Sequence, residues 1–529
     1  MHHVNSRRPA LTERKGAVPP SELPDGPGKL EGWDPEADRS SPETAQAGIV
    51  ETHASILFFV GDRVYKLRKP VQFDFLDFRL RTNRQTDCER EVTLNRRLAP
   101  DVYVGVADLL MEGEPIDHLV VMRRMPEARR LAAFARQGAD LDSWLRQVAE
   151  VLASFHRKAE RSPDISAHAT GAALRAIWED SFAETDPFVG TVLDEAAEAE
   201  IRSLAFRWIE GRKPLLDERI ASGCICDGHG DLQAEDIFCL DDGIRILDCI
   251  EFSDLLRHCD VCADVAFLVM DLERLGRPEA AVRFLLDYQE LAGDRFPESL
   301  VHQYCASRAY VRTKVACLRS AQLSDGARGD AHQLQAMALD HLRLGRVRLV
   351  LVGGLPGSGK STLAAGLRVT TDWKVLRSDE IRQTMCGPSM EPIPVNEGSF
   401  GYLEGRYSPA MTTSVYQELL GRAEHSLGLG ESVILDASWV DASLRDAAKL
   451  MADRTSSDLI ELRCIANPEE ATARIMRRLS DHTDISEATP EVSLMMGRSM
   501  DPWASAVVVD TTALTPEAAV ARALDVLTR

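Results

Sequence analysis

The residues Gly354-Leu355-Pro356-Gly357-Ser358-Gly359-Lys360-Ser361 satisfy the pattern GxxxxGK[ST] at every fixed position. An apolar run at 347–352 precedes them, and a stretch with helical character, Thr362 and onward to residue 367, follows. That context suits polyphosphate chemistry. Glycines let the chain fold into a concave nest of N–H donors, and the following helix turns its positive end toward the phosphates. Lys360 would reach the β and γ oxygens of a nucleotide, and the Ser361 hydroxyl could ligate Mg²⁺. Pro356, Gly357, Ser358, Gly359 and Thr362 complete this nucleotide-binding segment.

Two carboxylates downstream fall where such a site needs them. The strand reading WKVLRS runs into Ser378-Asp379-Glu380-Ile381-Arg382, which puts Asp379 at the carboxyl edge of an open sheet. Asp436 closes the apolar run VIL and would hold Mg²⁺ through water. With the basic helix ATARIMRRL, these features resemble the small P-loop kinases that include zeta toxins, polynucleotide kinases and gluconate kinases. The resemblance implies that Asp379 orients or deprotonates a substrate hydroxyl and that Arg382 binds substrate. It also implies that Arg474, Arg477 and Arg478 act from a lid on the transferred phosphoryl group. Plain alternatives stand beside each role: a helix cap for Asp379, a turn for Asp436 and a solvated basic face for the arginines.

A second constellation lies upstream, in His229-Gly230-Asp231-Leu232-Gln233-Ala234-Glu235-Asp236 followed by Ile246-Leu247-Asp248. It resembles the aminoglycoside phosphotransferase and choline kinase family, whose pattern is H-G-D-x-x-x-x-N and then a strand ending in I-D. Phosphoryl transfer explains that spacing, because one carboxylate must meet the acceptor hydroxyl while other oxygens hold Mg²⁺ on the ATP phosphates. The resemblance makes Asp231 the base, Asp248 the principal metal ligand and Asp236 a second one. Lys66, in VYKL, corresponds to the phosphate-pairing lysine, with Glu91 as its partner and Glu89 as the alternative. Met122 to Met125 correspond to the hinge beside adenine, and His229 is expected to pack against the metal segment.

Two departures accompany this resemblance. Asp236 stands where the family has asparagine, and Thr52-His53-Ala54-Ser55 stands where a Gly-rich loop would cover the phosphates. Glu251, Asp254, Asp260 and Asp264 make the neighbourhood acidic and are expected to be solvated.

The elements that must position these residues follow from pattern. SILFFV and RVYKL, joined by Gly61-Asp62, read as a hairpin. CEREVTLNRRLAP reads as an amphipathic helix stopped at Pro100, and HLVVMRRM as a strand. Helical segments dominate from Leu141 to Arg219, a strand-rich island returns at 244–249, and helices follow. From Arg346 onward, strands alternate with helices, which predicts a parallel sheet wrapped by helices. The expected fold class is therefore α/β and α+β, with an N-terminal protein-kinase-like fold and a C-terminal P-loop sheet. The expected division is a disordered segment 1–46, a kinase-like domain 47–321, a linker 322–345 and a P-loop domain 346–529.

The whole chain bounds the chemistry further. At 529 residues it exceeds what one core usually serves. Its formal net charge of −21 opposes nucleic-acid and anionic-membrane partners. No apolar run is long enough to span a bilayer, and the 11 cysteines suit a reducing, cytoplasmic setting; the lone pair Cys259 and Cys262 is assigned no zinc. The order of the two modules resembles bacterial proteins described as bifunctional aminoglycoside phosphotransferase and ATP-binding proteins. That resemblance implies ATP and Mg²⁺ as cofactors and a small hydroxyl compound as phosphoryl acceptor, or a nucleotide-sensing protein whose first lobe is a pseudokinase. The sequence names no oligomeric partner.

Overall fold

The computed structural model describes residues 10–13, 48–52, 54–73, 76–320, 326–386, 407–481 and 488–527. Contacts divide the chain into two compact units, one formed by Met1–Ala169 with Gly223–Arg295 and the other by Thr170–Ser222 with Phe296–Arg529. This grouping differs from one cut near residue 346, because the helices of 170–222 and Glu298–Ser320 gather with the P-loop sheet. Within the second unit, the helix Gly326–Leu344, which covers most of the proposed linker, packs along Glu298–Ser320 and Glu195–Gly211.

The first unit opens with an antiparallel sheet in which Arg63–Arg68 lies between Ser55–Val60 and Glu114–Arg123. The hairpin is the one the sequence predicts, turning at Gly61, whose φ of 59° is costly for a side-chain-bearing residue. Most of the segment 1–46 lies outside the described residues. Within it, however, Ala10–Glu13 pairs antiparallel with Tyr103–Met111, which corrects the expectation of disorder at those four positions. An edge strand offers unpaired N–H and C=O groups that any extended segment can satisfy, so side-chain pattern gives no warning of such pairing.

The helix over Arg81–Asn95 starts seven residues before the sequence pattern suggests and ends before Pro100. Its buried stripe is Arg84, Asp87, Cys88, Glu91, Val92 and Asn95, at helical spacing but largely polar. One apolar part of that stripe, Val92 with Cys88, joins Val64, Val120, Met122 and Met125 in the core beneath the sheet. The charged part faces the functional site.

The second unit contains a five-stranded, wholly parallel sheet in the order Lys374–Arg377, Val433–Asp436, Arg348–Gly353, Asp458–Ile465, Val507–Asp510. Such strands are covered on both faces, so they read as apolar runs rather than alternations. Leu349 and Leu351 enter the core on one face, and Val350 and Val352 the core on the other. The fold class is thus the expected α+β and α/β: a lobe that opens with an antiparallel sheet, and a parallel sheet with helices on both faces. No helix among the described residues is long and apolar enough to cross a membrane.

Candidate active sites

In the first unit, Lys66 projects from its strand toward the charged stripe of the helix Arg81–Asn95. Its Nζ lies 2.8 Å from Glu91 Oε1 and 3.2 Å from Asp248 Oδ1. Burial opposes the charge on Lys66, but Asp248 and then Glu91 outweigh it and raise its proton affinity. Glu89, the alternative partner, instead accepts a hydrogen bond from Gln85 on the exposed side of the helix. Glu91 is fully buried and is gripped from its other oxygen by Arg68, at 2.7 Å. Arg68 also pairs with Asp87, at 2.7 Å, and with Glu251. Asp87, Glu91 and Glu251 form the metal-like acidic cluster found among the described residues, and the Arg68 guanidinium binds all three of its carboxylates.

Asp248 follows the short strand Gly243–Ile246 with φ at 65°, in the left-handed region that aspartate tolerates better than most residues. Its backbone N–H donates to the Tyr103 hydroxyl at 3.2 Å, and its carboxylate is half exposed. Lys66 holds that carboxyl below its usual range. Asp231 accepts from Gln233 Nε2 at 2.8 Å. The fully buried His229 bonds the Leu247 carbonyl through Nε2 at 3.0 Å, tying the segment of Asp231 to that of Asp248. Burial lowers its proton affinity, so a neutral ring fits the contact, with Nε2–H donating.

The expectation of solvated carboxylates around this site is wrong for three of the four. Asp264 is fully buried and accepts the backbone N–H of His229, at 2.6 Å, and of Gly230, at 2.8 Å. Burial works against its charge, yet the hydrogen bond and charge of His156 and the bonds from the loop leave its carboxyl well below the usual range. Asp260 caps the helix Val261–Arg274 through the Cys262 N–H, at 2.8 Å, and Glu251 is buried against Arg68; burial pushes Glu251 up to about 7. Asp254 alone is half exposed. A loop whose amides aim at one carboxylate cannot remain dissolved around it, which is why these acids turn inward. Asp236 is raised by burial first, and then by Asp248 and Asp231. Cys259 and Cys262 are not joined in a disulfide, and the Cys259 sulfur approaches Asp264 at 3.8 Å.

The second unit builds its site from backbone. After the strand Arg348–Gly353, Gly354 takes φ 144°, Gly357 φ 81° and Gly359 φ 83°, and the helix Lys360–Thr371 begins. A Cβ at Gly354 would sit 2.5 Å from the Cys464 carbonyl and from Ser358 Oγ. The first turn of the helix leaves its N–H groups without intrahelical acceptors, pointing at whatever the loop encloses. The loop is strapped from outside: Thr511 Oγ1 donates to the Ser358 carbonyl at 2.9 Å, and Ser493 Oγ to the Pro356 carbonyl at 3.1 Å.

Asp436 ends the strand beside the P-loop strand, in register with Val352. Arg377 Nε donates to its Oδ2 at 3.1 Å, while the buried Oδ1 has no hydrogen-bond partner among the described residues. That oxygen, with the Ser361 hydroxyl at the helix start, fits a hydrated Mg²⁺. Asp379 and Arg382 do not end a strand; they lie in the helix Ser378–Cys386 that begins directly after Arg377. Arg382 is buried over the Tyr407 ring, 4.8 Å from its centroid.

The three lid arginines have three different settings on the helix Pro468–Asp481. Arg474 holds Thr511 through two hydrogen bonds of 2.8 Å and reaches the Gly357 carbonyl at 3.4 Å, so it braces the loop. Arg478 donates to the Ala488 carbonyl at 2.9 Å. Arg477 is exposed. Residues that the sequence did not single out, Arg68, Gln233, Tyr103 and Thr511, complete both sites, together with Asp264, which the sequence read as solvated; only Gln233, two positions after Asp231, carried a local signal.

Residues 349–503 match the AAA domain family. The chain is 39% identical over 465 residues to the uncharacterized protein Rv2004c of Mycobacterium tuberculosis, covering 87% of this chain and 91% of that one. It matches the uncharacterized protein Mb2027c of Mycobacterium bovis to the same extent. Among solved structures, a choline/ethanolamine kinase family protein from Mesorhizobium loti is 15% identical, covers 58% of this chain and 98% of its own, and aligns with a TM-score of 0.37. A sugar kinase from Janibacter is 20% identical, covers 34% of this chain and 94% of its own, with a TM-score of 0.26. The chain belongs to the family of these mycobacterial proteins.

Proposed function

We propose that the protein is an ATP-dependent phosphotransferase with two nucleotide sites, each transferring the γ-phosphoryl of ATP to a hydroxyl of a small polar compound. The observation that carries this reading is the glycine loop between Gly354 and Lys360, with the unpartnered Oδ1 of Asp436 on the adjacent strand. In the second unit, Ser361 and Asp436 would hold Mg²⁺, Lys360 would meet the terminal phosphates, and Asp379 would orient the acceptor. In the first, Asp248 and Asp236 would hold the metal, Lys66 would bind phosphate, and Asp231 would receive the hydroxyl proton as oxygen attacks phosphorus and the bond to ADP breaks. Bound Mg²⁺ supplies charge neutralisation on the phosphates. Gln233 aims Asp231, and Arg68 fixes Glu91 so that Lys66 keeps its position. The net charge of −21 supports a small acceptor over a nucleic acid.

A second reading, a first lobe that senses nucleotide without turning it over, is favoured by one observation: Asp236 is a half-buried acid beside Asp231 and Asp248, where a neutral amide would be less strained. Purified Asp231→Ala and Lys360→Ala proteins, each given labelled ATP and a cell metabolite extract, separate the two. Each variant should lose a different labelled product. If Lys360→Ala alone abolishes labelling, the first lobe is a sensor; if the unaltered protein neither binds nor consumes ATP, both readings fall.

A further inference from the structure

We propose that the second unit carries a separate anion site, a basic cavity at the amino-terminal edge of its parallel sheet that binds inorganic phosphate or a small phosphate monoester. The cavity has a volume of about 420 Å³, a size that suits a small metabolite. Arg346 and Arg348 enter it from the start of the P-loop strand, Arg207 from the helix Glu195–Gly211, and Lys449 from the helix Ala442–Arg454. Asp453 and Asp458 are its acids, so four cations face two carboxylates, a local excess of two positive charges in a chain of net charge −21.

The pairing inside the cavity leaves that excess uncompensated. One carboxylate, Asp458, serves two guanidiniums: Arg207 at 2.5 Å through Oδ1 and Arg346 at 2.5 Å through Oδ2. Arg348 directs its donors to main-chain carbonyls, those of Arg346 at 2.9 Å and Arg343 at 3.5 Å. Burial, and then the nearby Arg346, lower its proton affinity, the response of a cation short of counter-charge. Lys449 is exposed at the rim. Guanidiniums fanned around an open volume present the forked donors that phosphate oxygens take.

A second observation points to a ligand. A void of about 20 Å³ adjoins the cavity and shares Arg207, Arg346 and Asp458 with it. Trp208 and Arg212 also line this void, and Trp208 Nε1 and Arg212 Nε are buried donors without a hydrogen-bond acceptor among the described residues. Arg212 is 1% exposed and gives its other nitrogens to the carbonyls of Leu427 and Thr455. Burial pulls its proton affinity down to about 9, which leaves it charged at neutral pH. The void has room for about one water, whose oxygen could accept from these donors and pass a hydrogen bond to an anion in the larger cavity.

The site is not the far end of the nucleotide site. Arg348 and Gly353 are the two ends of one strand, five residues apart, or about 17 Å at ~3.3 Å per residue. One phosphate cannot span both. Its position at the opposite end of the P-loop strand makes it a place where a phosphorylated product or free phosphate could be read without competing with ATP.

The test uses the full-length protein carrying Lys360→Ala, which removes the P-loop's hold on phosphate. Calorimetric titrations with inorganic phosphate and with glycerol phosphate, at ionic strength fixed by chloride, should each show saturable binding, and the tighter of the two identifies the ligand's source. Adding Lys449→Glu, at an exposed position, or Arg348→Gln should weaken that binding at least tenfold, with circular dichroism confirming the fold; should Arg348→Gln not fold, Lys449→Glu decides. Absence of saturable binding by either phosphate, equal effects of chloride alone, or binding unchanged by Lys449→Glu would overturn the proposal.

Discussion

The two units fix the lysine of their candidate site by opposite means. Lys66 is held by side chains: Glu91 and Asp248 bind it, and Glu91 is itself held by Arg68. Lys360 is placed by main chain, as the first residue of a helix whose preceding glycines take positive φ. A side-chain clamp concentrates charge in the protein interior and is sensitive to every partner's protonation. A backbone cradle depends on the absence of side chains and is sensitive to volume. The comparison can be broken by changes that should injure one kind of site and spare the other.

The largest effect on nucleotide affinity belongs to the backbone site. Lys360→Ala should lower nucleotide affinity of the second unit on the order of 100-fold, about 2.8 kcal/mol at 1.4 kcal/mol per tenfold. Gly354→Val should do at least as much, because its side chain would collide with the Cys464 carbonyl and Ser358 Oγ, 2.5 Å away. Titration with a fluorescent ATP analogue in a Lys66→Ala background checks both. A Gly354→Val protein that still binds would show that the loop tolerates side-chain volume and that the contrast is misplaced.

Next comes the clamp. Glu91→Ala leaves Lys66 and Arg68 short of their shared buried anion, and stability of the first unit should fall by roughly 3–5 kcal/mol. Urea unfolding of the full chain, with hydrogen exchange reporting the helix Arg81–Asn95, measures this. Glu91→Gln should cost less, since its one carbonyl oxygen can still accept from one of the two cations. Asp264→Asn should follow, at roughly 2–3 kcal/mol, because the amide keeps one acceptor for two loop N–H groups and loses the charge that faces His156. Hydrogen exchange at His229 and Gly230 should accelerate together; protection unchanged at both would show that Asp264 is not what holds the loop.

What the sequence revealed follows the same contrast. The glycine loop was legible because its geometry is local: contiguous residues, a fixed pattern and an apolar strand before it are enough to specify it. The pairing of Lys66 with Glu91 was legible because resemblance supplied the spacing, and helix periodicity placed Glu91 with Asp87 and Cys88 on one face. Arg68, Glu251 and Asp264 were not. Their roles depend on segments far apart in sequence, as Arg68 meets Glu251 only after the whole lobe has folded, and composition alone reads an acidic stretch as solvated. The strand Ala10–Glu13 was hidden for a different reason, since main-chain pairing at a sheet edge asks little of side chains. The gathering of 170–222 with the P-loop sheet likewise depends on tertiary packing: Arg212 buried against the Leu427 and Thr455 carbonyls leaves no periodic trace.

The finest division between the two sites lies in a pair of aspartates that differ in surroundings. Asp236 is half-buried beside Asp231 and Asp248, and its carboxyl is raised above the ordinary value of 3.8. The folded state therefore keeps a proton that the unfolded chain has released, and stability falls as pH rises from about 4 until it passes the folded value, then levels off. Asp236→Asn has no such proton to lose, so it should remove that slope and stabilise the first unit by roughly 1 kcal/mol at neutral pH, within the usual range for single substitutions. Asp436 sits with Arg377 at 3.1 Å, so Asp436→Asn gives up an ion pair and should destabilise the second unit by a similar amount. Opposite signs from the same chemical change, read by urea unfolding at pH 4 and pH 7, would confirm that one aspartate is crowded by acids and the other balanced by a cation. If both substitutions destabilise equally, Asp236 has a cationic partner in the folded protein, and the two sites manage their buried acids alike.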